Sequence, residues 1–556
     1  MRGLNWRIWR LILAIGVGWS LAGEAAELAQ NQANRPESAT AKPSTAREEE
    51  PTARGHQAID NAATAFFAGP IQYFDIRIAS DKMNSLRQQP RLPVPATLRI
   101  GTNVFTKVAV HVKGAAGSTR SIDDNPALTI SLDKWVSGQR FSGLDKFHLN
   151  NSVQDYSLLN ESVASFLYLR AGVPTARSTH GVVTLNGRDL GVYVLKEGYN
   201  RSFLRRNYGS SSGNLYDGGF VQDIDRDLER DVGDGEDTHD DLHQLVAAVR
   251  TSDPIRRRAL LEKQLEVKRF VAMAVIQGFT CDWDGYAQHH NNYRVFWNAT
   301  TGRVNFIPHG MDQLFEDGYR DVAPGWAGMV ADAVFSDPTW NEEFWTQMEA
   351  LVAPGLEDVL KKHFATVHQR LDPVLAKRPD EERSRRGAMF EKERAIMARI
   401  AQVREQVSRH PKPVEFGASG WVSIGKWEER PGSGEVGFKL LTAKTGEQWL
   451  RLEAEQRASS GSWRTRMHLF PGRYVYSARV RTARVDPNNS DRMAGGAGIR
   501  ISGSQPGIRL KGDTEWQAVN YEFELTEARD VEFVAELRAH AGEAIFDLSA
   551  MKLRKL

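Results

Sequence analysis

Between Thr280 and Asp317 the chain reads "TCDWDGYAQHHNNYRVFWNATTGRVNFIPHGMDQLFED", with Asp282, Asp284, Asn291, Asn292, His309 and Asp312 set among aromatic and β-branched residues. A carboxylate on a loop with amides a few residues on can hold a base and a divalent cation together. Asn291 and Asn292 lead into the strand-like "YRVFW", and "NFIPHGMDQLF" is an apolar run that stops at Pro308 and presents His309 and Asp312 from a turn. Two strands with acidic or amide residues at one end make a hairpin able to place Asp284, Asn292 and Asp312 on one metal. Hard oxygen ligands of this kind suit Mg²⁺ or Mn²⁺. His289, His290 and His309 would argue for zinc, but no H-x₃-H or HExxH helix accompanies them. The plainer alternative is that Asp282 and Asp284 merely cap the preceding helix or its turn.

The elements that must carry these residues are legible on both sides. From about Phe67 to Lys196, short runs such as "YFDIRIA", "KVAVHVKG", "ALTISLD" and "THGVVTLNGRDLGVYVLKE" read as strands separated by turns, with Asn186-Gly187 as a hairpin pair. One helix interrupts them: "SLLNESVASFLYLRAG" has Leu158, Val163, Phe166 and Leu167 at helical spacing and Gly172 as its stop. A helical region from about Asp240 to Gly278 feeds into the chemical stretch, and "NEEFWTQMEALV" and "EERSRRGAMFEKERAIMARIAQVREQVSRH" read as helices up to His410. Around "HPKPVEFGASG" the texture changes to pure alternation, as in "GRYVYSARVRTARV", which predicts a separate all-β sandwich over 411–556.

At 556 residues the chain exceeds one hydrophobic core, and roughly 150 residues per domain implies two or three folded units. Lys and Arg total 72 against 70 Asp and Glu, a net charge of +2 that offers no field for nucleic acid or an anionic membrane. Arg2, Arg7 and Arg10 precede the apolar "LILAIGVGWSLAG" and small residues at Ala22, Ala25 and Ala26, the order of a secretory signal over 1–26 or, alternatively, of an uncleaved anchor. With Cys281 the single cysteine, an intramolecular disulfide is impossible, so an exported product must rely on its core. The stretch 27–65 is rich in Ala, Pro, Ser, Thr and Glu and reads as a disordered spacer.

The order of "VHVKGAAGSTRS", "NNSVQDYSLLNESVASFLYLRAGVPTARSTHGVVTLNGRDLGVYVLKE", "DWDGYAQHHNNYRVF" and "FIPHGMDQLF" resembles the CotH kinases. That resemblance implies an α+β, atypical protein-kinase-like domain over 66–410, ahead of the all-β sandwich domain. It implies transfer of the ATP γ-phosphoryl group to a hydroxyl, probable acceptor a secreted or surface protein, with Mg²⁺ or Mn²⁺ as the metal. Asp284 takes the catalytic carboxylate's place, and Asn291 and Asn292 the metal-side amides, with Asp312 as metal ligand. Lys113, Arg120, Lys134 and Lys196 remain candidate phosphate contacts, and the neighbouring Lys196 and Glu197 form either a nucleotide-organising pair or a solvated strand-end ion pair. "KGAAGSTRS" is a loose glycine loop or a plain turn.

The family's second acidic element reads Pro-aromatic-Asp-x-Asp, whereas "PHGMD" has Gly310 at the first carboxylate, so Gly310→Asp is expected to raise activity unless the turn needs glycine. The rival function is a noncatalytic surface protein with a decayed kinase-like scaffold. The run from Asp223 to Asp241 reads as a solvated acidic insertion, because Leu228 stands where a calcium loop needs glycine. The C-terminal domain resembles a jelly-roll carbohydrate-binding module, with Trp421, Trp427, Trp449, Trp463 and Trp516 as stacking faces or core. A cell-wall or extracellular glycan is then a partner, and a secreted, periplasmic or envelope location follows.

Overall fold

The structure, a computed structural model, describes residues 53–556 apart from 116, 413, 415, 418, 456–457, 488–494, 506 and 527. The expected signal segment and the spacer up to 52 lie outside the described residues. The chain divides into two compact units, one of Met1–Asp337 with Glu343–Gln406 and one of Pro338–Glu342 with Val407–Leu556. Among the described residues no helix is long and apolar enough to cross a membrane.

In the first unit, alternating sequences close on themselves. Strands β1 (Gln72–Arg77), β2 (Val94–Ile100), β3 (Asn103–Lys113), β4 (Ala127–Ser131), β5 (Lys146–Asn150), β6 (Ser178–Leu185) and β7 (Arg188–Glu197) form a closed barrel in the order β1-β2-β3-β4-β5-β7-β6. Every second side chain points inward, so Phe74, Ile76, Leu98, Val110, Ile130, Phe147, Leu149 and Leu195 build its core. The β6–β7 hairpin turns at Asn186 and Gly187 with φ of 49° and 83°, the double positive φ of the primed turn expected from that pair.

Several helices escape the sequence reading, two of them early in the chain. Helix α1 (Ala53–Ala68) occupies the last part of the expected spacer, with Ala63 and Phe67 buried against the barrel core. Helix α2 (Ser80–Gln88) buries only Met83 and Leu86, too few apolar residues to show a period.

Helix α3 (Asn160–Arg170) is the expected one, and it stops with Gly172 at φ 72°. It is buried almost all round, including Asn160, Glu161, Ser162 and Ser165, so its polar residues need partners inside the fold. Asp155 takes the N–H of Asn160 at 2.8 Å and that of Ser157 at 3.1 Å, fixing where the helix begins.

Helix α4 (Arg201–Tyr208) leads into a second sheet of β8 (Gly213–Asp217), β9 (Arg230–Val232), β10 (Tyr293–Asn298) and β11 (Arg303–Pro308), ordered β11-β10-β8-β9. Between them run α5 (Asp240–Val249), α6 (Pro254–Gln264), α7 (Val267–Thr280) and the single turn α8 (Tyr286–His289). Most aspartates of 223–241 are exposed, as a solvated insertion would have them, although Asp225 pairs with Arg250, Asp234 with Arg201, and Asp241 accepts from Asn214 and Tyr216. Helices α9 (Met329–Phe335), α10 (Pro338–Leu351), α11 (Leu356–Leu375) and α12 (Pro379–Arg409) follow.

The second unit is strand-built, from β12 (Trp421–Ser423), β13 (Glu428–Pro431), β14 (Val436–Thr442), β15 (Gln448–Ala454), β16 (Ser459–Leu469), β17 (Gly472–Pro487), β18 (Gly496–Ile501), β19 (Gly512–Leu525) and β20 (Arg529–Lys555). They join in one hydrogen-bonded network because β20, 27 residues long, pairs in turn with β16 and β18, then β15 and β17, then β12. Of the five tryptophans in 411–556, Trp463 is core, edge-on to Phe438, and the other four are half-buried. Arg479 and Arg481 stand over the Trp516 ring at 5.5 and 5.3 Å.

Candidate functional site

Helix α7 is apolar and buried along nearly its whole length, and it ends because Cys281 takes the left-handed conformation at φ 57°. Buried Arg399 of α12 donates to the last carbonyls of the helix, Gly278 at 2.7 Å and Phe279 at 3.0 Å. The chain leaving this fixed end presents Asp282 and Asp284. Gly285 follows because nothing larger fits: a Cβ there would lie 2.3 Å from Gln277 Nε2 and 2.6 Å from Asp282 Oδ2.

Asp284 is then held by both amides. Asn291 Nδ2 donates to its Oδ1 at 3.1 Å, and Asn292 Nδ2 to its Oδ2 at 2.9 Å. Asn292 also reaches the Gly310 carbonyl at 3.3 Å, so one side chain ties the Asp284 loop to the turn after β11. The β10–β11 pairing, with Tyr293 opposite Pro308, puts both turns at the same end of the hairpin.

The turn after β11 is docked on α3. Asn160 Nδ2 donates to the Asp312 carbonyl at 2.8 Å, and the Met311 N–H donates to Glu161 Oε1 at 3.2 Å. That same Oε1 accepts from Lys196 Nζ at 2.7 Å, and the two side chains are only 2% and 5% exposed. Lys113, at the end of β3, donates to Asn150 Oδ1 at 2.7 Å. Four charges, Lys113, Lys196, Glu161 and Asp312, therefore act on one another, the central pair buried and Lys113 and Asp312 half-buried.

Their electrostatics follow from that burial. Desolvation and the charge of Lys196 bring the Lys113 ammonium down to about 8. Desolvation and Glu161 push Asp312 up to about 6 against the pull of Lys113 and Lys196. Burial alone would lower Lys196, yet Glu161 keeps it above its ordinary value. Asp282 is fully enclosed, and burial with Asp284 and Asp312 nearby lifts it to about 8. Asp284, half-buried, rises through desolvation, with Asn291, His289 and Asn292 opposing. Burial and Arg294 hold His309 down at about 3, so it is a neutral ring.

Among the described residues no three His, Cys, Asp or Glu side chains converge as a ready cage for a metal. The donor set nonetheless fits Mg²⁺ or Mn²⁺. Asp284 and Asp312 are hard oxygen donors whose turns Asn292 ties together at one hairpin end, and Mg²⁺ uses one or two carboxylates beside phosphate oxygens and water.

The expected residues thus separate. Asp284, Asn291, Asn292 and Asp312 belong to one hairpin end, and Lys113 and Lys196 stand out from the four candidate cations. Arg120 instead folds back on its own loop, donating to the Gly117 and Thr119 carbonyls, and Lys134 is exposed. The Lys196–Glu197 pairing is corrected: successive strand residues face opposite ways, so Glu197 is buried on the other side of β7 with Arg177 and Arg206, and Lys196 pairs with Glu161. Asn291 Oδ1 accepts the Val221 N–H at 3.1 Å while its Nδ2 is turned to Asp284.

Glu161 escaped the sequence reading, and Asp282 was read there only as a cap. Glu161 looks like an ordinary acid in a first helical turn. The glycine turn after Lys113 is a tight local structure in which Ser118 Oγ accepts from the Ala115 N–H and Thr119 Oγ1 donates to the Ala115 carbonyl.

Gly310 settles its own question. Its φ is 65°, and a Cβ would lie 2.5 Å from Asn292 Oδ1 and 2.7 Å from its Cγ. Gly310→Asp is therefore expected to strain the turn and dislodge Asn292, costing about 1–3 kcal/mol in urea unfolding rather than raising activity. A denaturation midpoint equal to that of the unaltered protein would contradict this.

The profile described as CotH kinase protein matches residues 110–407. The chain belongs to the CotH kinase family. The matched span takes in Lys113, Glu161, Lys196, Asp284 and Asp312. The inner spore coat protein H of Bacillus subtilis (strain 168) is 22% identical over 186 residues, which is 31% of this chain and 50% of that protein. This CotH-family chain thus spans about half the length of that curated relative. Among solved structures, a TmCBM61 in complex with beta-1,4-galactotriose is 11% identical over 24% of this chain and 91% of its own, with a TM-score of 0.18. The CBM22-1 xylan-binding domain from Paenibacillus barcinonensis Xyn10C is 12% identical over 24% and 87%, with a TM-score of 0.15. Likenesses that slight carry no weight for this chain.

Proposed function

We propose that the first unit is an atypical, kinase-like phosphotransferase that moves the γ-phosphoryl group of ATP to a hydroxyl, the acceptor being a secreted or surface protein. The observation that carries this reading is the buried Lys196–Glu161 ion pair beside Lys113 and Asp312, one hairpin turn away from Asp284. Protein kinases use a strand lysine paired with a helix glutamate to hold nucleotide phosphates, and a separate aspartate to take the acceptor proton. Here Lys196 and Lys113 would face the phosphates, with Glu161 keeping Lys196 charged and in place. Asp284, fixed by two amides and partly open to solvent, would orient the acceptor hydroxyl and accept its proton. Asp312, with Asp284 near it, would hold Mg²⁺ or Mn²⁺, which when bound neutralises phosphate charge. The N-terminal order of arginines, apolar run and small residues supports export to the periplasm, envelope or exterior. The second unit would attach the enzyme to a cell-wall or extracellular glycan.

One observation favours the noncatalytic scaffold as a second reading: Gly310, wedged under Asn292, leaves no room for the second carboxylate of the family pattern. Thermal melting separates the two. ATP with Mg²⁺ or Mn²⁺ at a hundred times its dissociation constant should stabilise the protein by about 2.7 kcal/mol, and chelator should abolish the gain. Labelled phosphate should then pass to an acceptor protein. An identical melting curve with and without metal–nucleotide would overturn the phosphotransferase reading.

A further inference from the structure

We propose that the segment Asp217–Asp223 is a strap that sets the orientation of Asp284, acting through Asn291, with the backbone N–H of Val221 as the positioning group. The inference rests on the reading of Asp284 as the base and adds what aligns it.

Val221 has φ 50°. For a β-branched residue the left-handed region is strongly disfavoured, and it persists only where the surroundings over-determine it. They do so here. The Gly218 N–H donates to the Tyr293 carbonyl at 3.0 Å, and Tyr293 Oη donates to the Gln222 carbonyl at 2.9 Å, clasping the strap at both ends. Asp223 accepts from Tyr286 Oη at 2.8 Å and from the Met329 N–H at 2.7 Å, while Asp217 accepts from Arg294 at 2.7 Å. Gly218 permits this approach, since a Cβ there would lie 2.4 Å from the Tyr293 ring.

The strained residue makes the one contact that matters to Asp284. Asn291 is buried, and its amide has an oxygen side and a nitrogen side of similar shape. The Val221 N–H can bind only the oxygen, at 3.1 Å, and this turns the NH₂ toward Asp284 Oδ1, also at 3.1 Å. Reversed, the amide would set its carbonyl against the carboxylate and its NH₂ against the Val221 N–H. The strap thus decides which face Asn291 shows to the base, and the adjacent Asn292 supplies the second hydrogen bond.

The test uses the full chain with Val221→Pro, which removes the N–H, and Val221→Gly, which keeps it and accepts the positive φ. Proton exchange at the Asn291 side-chain NH₂, followed by ¹⁵N NMR, should quicken at least tenfold in Val221→Pro and stay at the wild-type rate in Val221→Gly. In phosphate transfer, Val221→Pro should lose about a hundredfold in kcat with KM for ATP within twofold, a split that general loosening of the fold would not produce. Unchanged Asn291 exchange in a folded Val221→Pro protein would overturn the strap. Should that variant not fold, the wild type decides: the Val221 amide and the Asn291 NH₂ should exchange in one opening event at matching rates, and an Asn291 rate ten times the Val221 rate would overturn the inference. A wild type that transfers no phosphate would remove the base reading alone, because the exchange measurements still judge the strap.

Discussion

Lys196→Met is expected to destabilise the first unit by about 3–5 kcal/mol, the effect of leaving one member of a buried ion pair without its partner. Glu161 would remain buried on α3 at 2% side-chain exposure with its 2.7 Å partner gone and only the Met311 N–H still bound to it. Adding Glu161→Gln should return most of that loss, because glutamine keeps an acceptor for Met311 and carries no charge to strand. The double-mutant cycle in urea therefore predicts strong non-additivity. It also separates stability from function, since the repaired protein should fold well and still fail to gain stability from ATP with Mg²⁺. A Lys196→Met cost below about 1 kcal/mol would mean that water reaches the pair and that it is no phosphate-holding lysine of the kind protein kinases use.

What could be read from the chain beforehand was set by periodicity and by turn residues. Most barrel strands announced themselves by alternation, though the short β5 did not, and Asn186-Gly187 marked its hairpin. Helix α3 was visible from its spacing, but not its burial, because a helix enclosed on all sides shows no amphipathic stripe. The hairpin end carrying Asp284, Asn292 and Asp312 was legible for the same reason as the strands that form it. Glu161 was not, since its partner lies 35 residues away on β7 and pairing at that range depends on barrel closure. The mistaken Lys196–Glu197 pair has the converse cause: neighbours along a strand look adjacent in sequence and face opposite ways in space. The contact that orients Asn291 was out of reach for the same reason, since Val221 lies 70 residues away and offers only backbone.

Asp284→Asn is expected to lower kcat by about a thousandfold, as loss of a positioned general base does, with KM for ATP within twofold. Asp282→Asn should behave in the opposite way, although the two acids are separated only by Trp283. Asp282 lies fully buried and is lifted to about 8, so at pH 7 it is protonated and cannot take a proton from a hydroxyl. Folding must then keep on Asp282 a proton that the unfolded chain releases above about pH 4. The stability associated with that raised value is present below about pH 4 and is lost as the pH climbs towards 8. Asparagine needs no such proton. Asp282→Asn should therefore melt higher than the unaltered protein at pH 8, by on the order of 1–2 kcal/mol, with the gap closing towards pH 5. Asp284→Asn gains nothing of the kind, because its new NH₂ would face the NH₂ of Asn291 or Asn292 and break one of the two hydrogen bonds at 3.1 and 2.9 Å. Rates and melting curves for both variants between pH 5 and pH 8 decide the assignment. Activity lost in Asp282→Asn and kept in Asp284→Asn would move the base to the buried acid and leave Asp284 as a support for the turn.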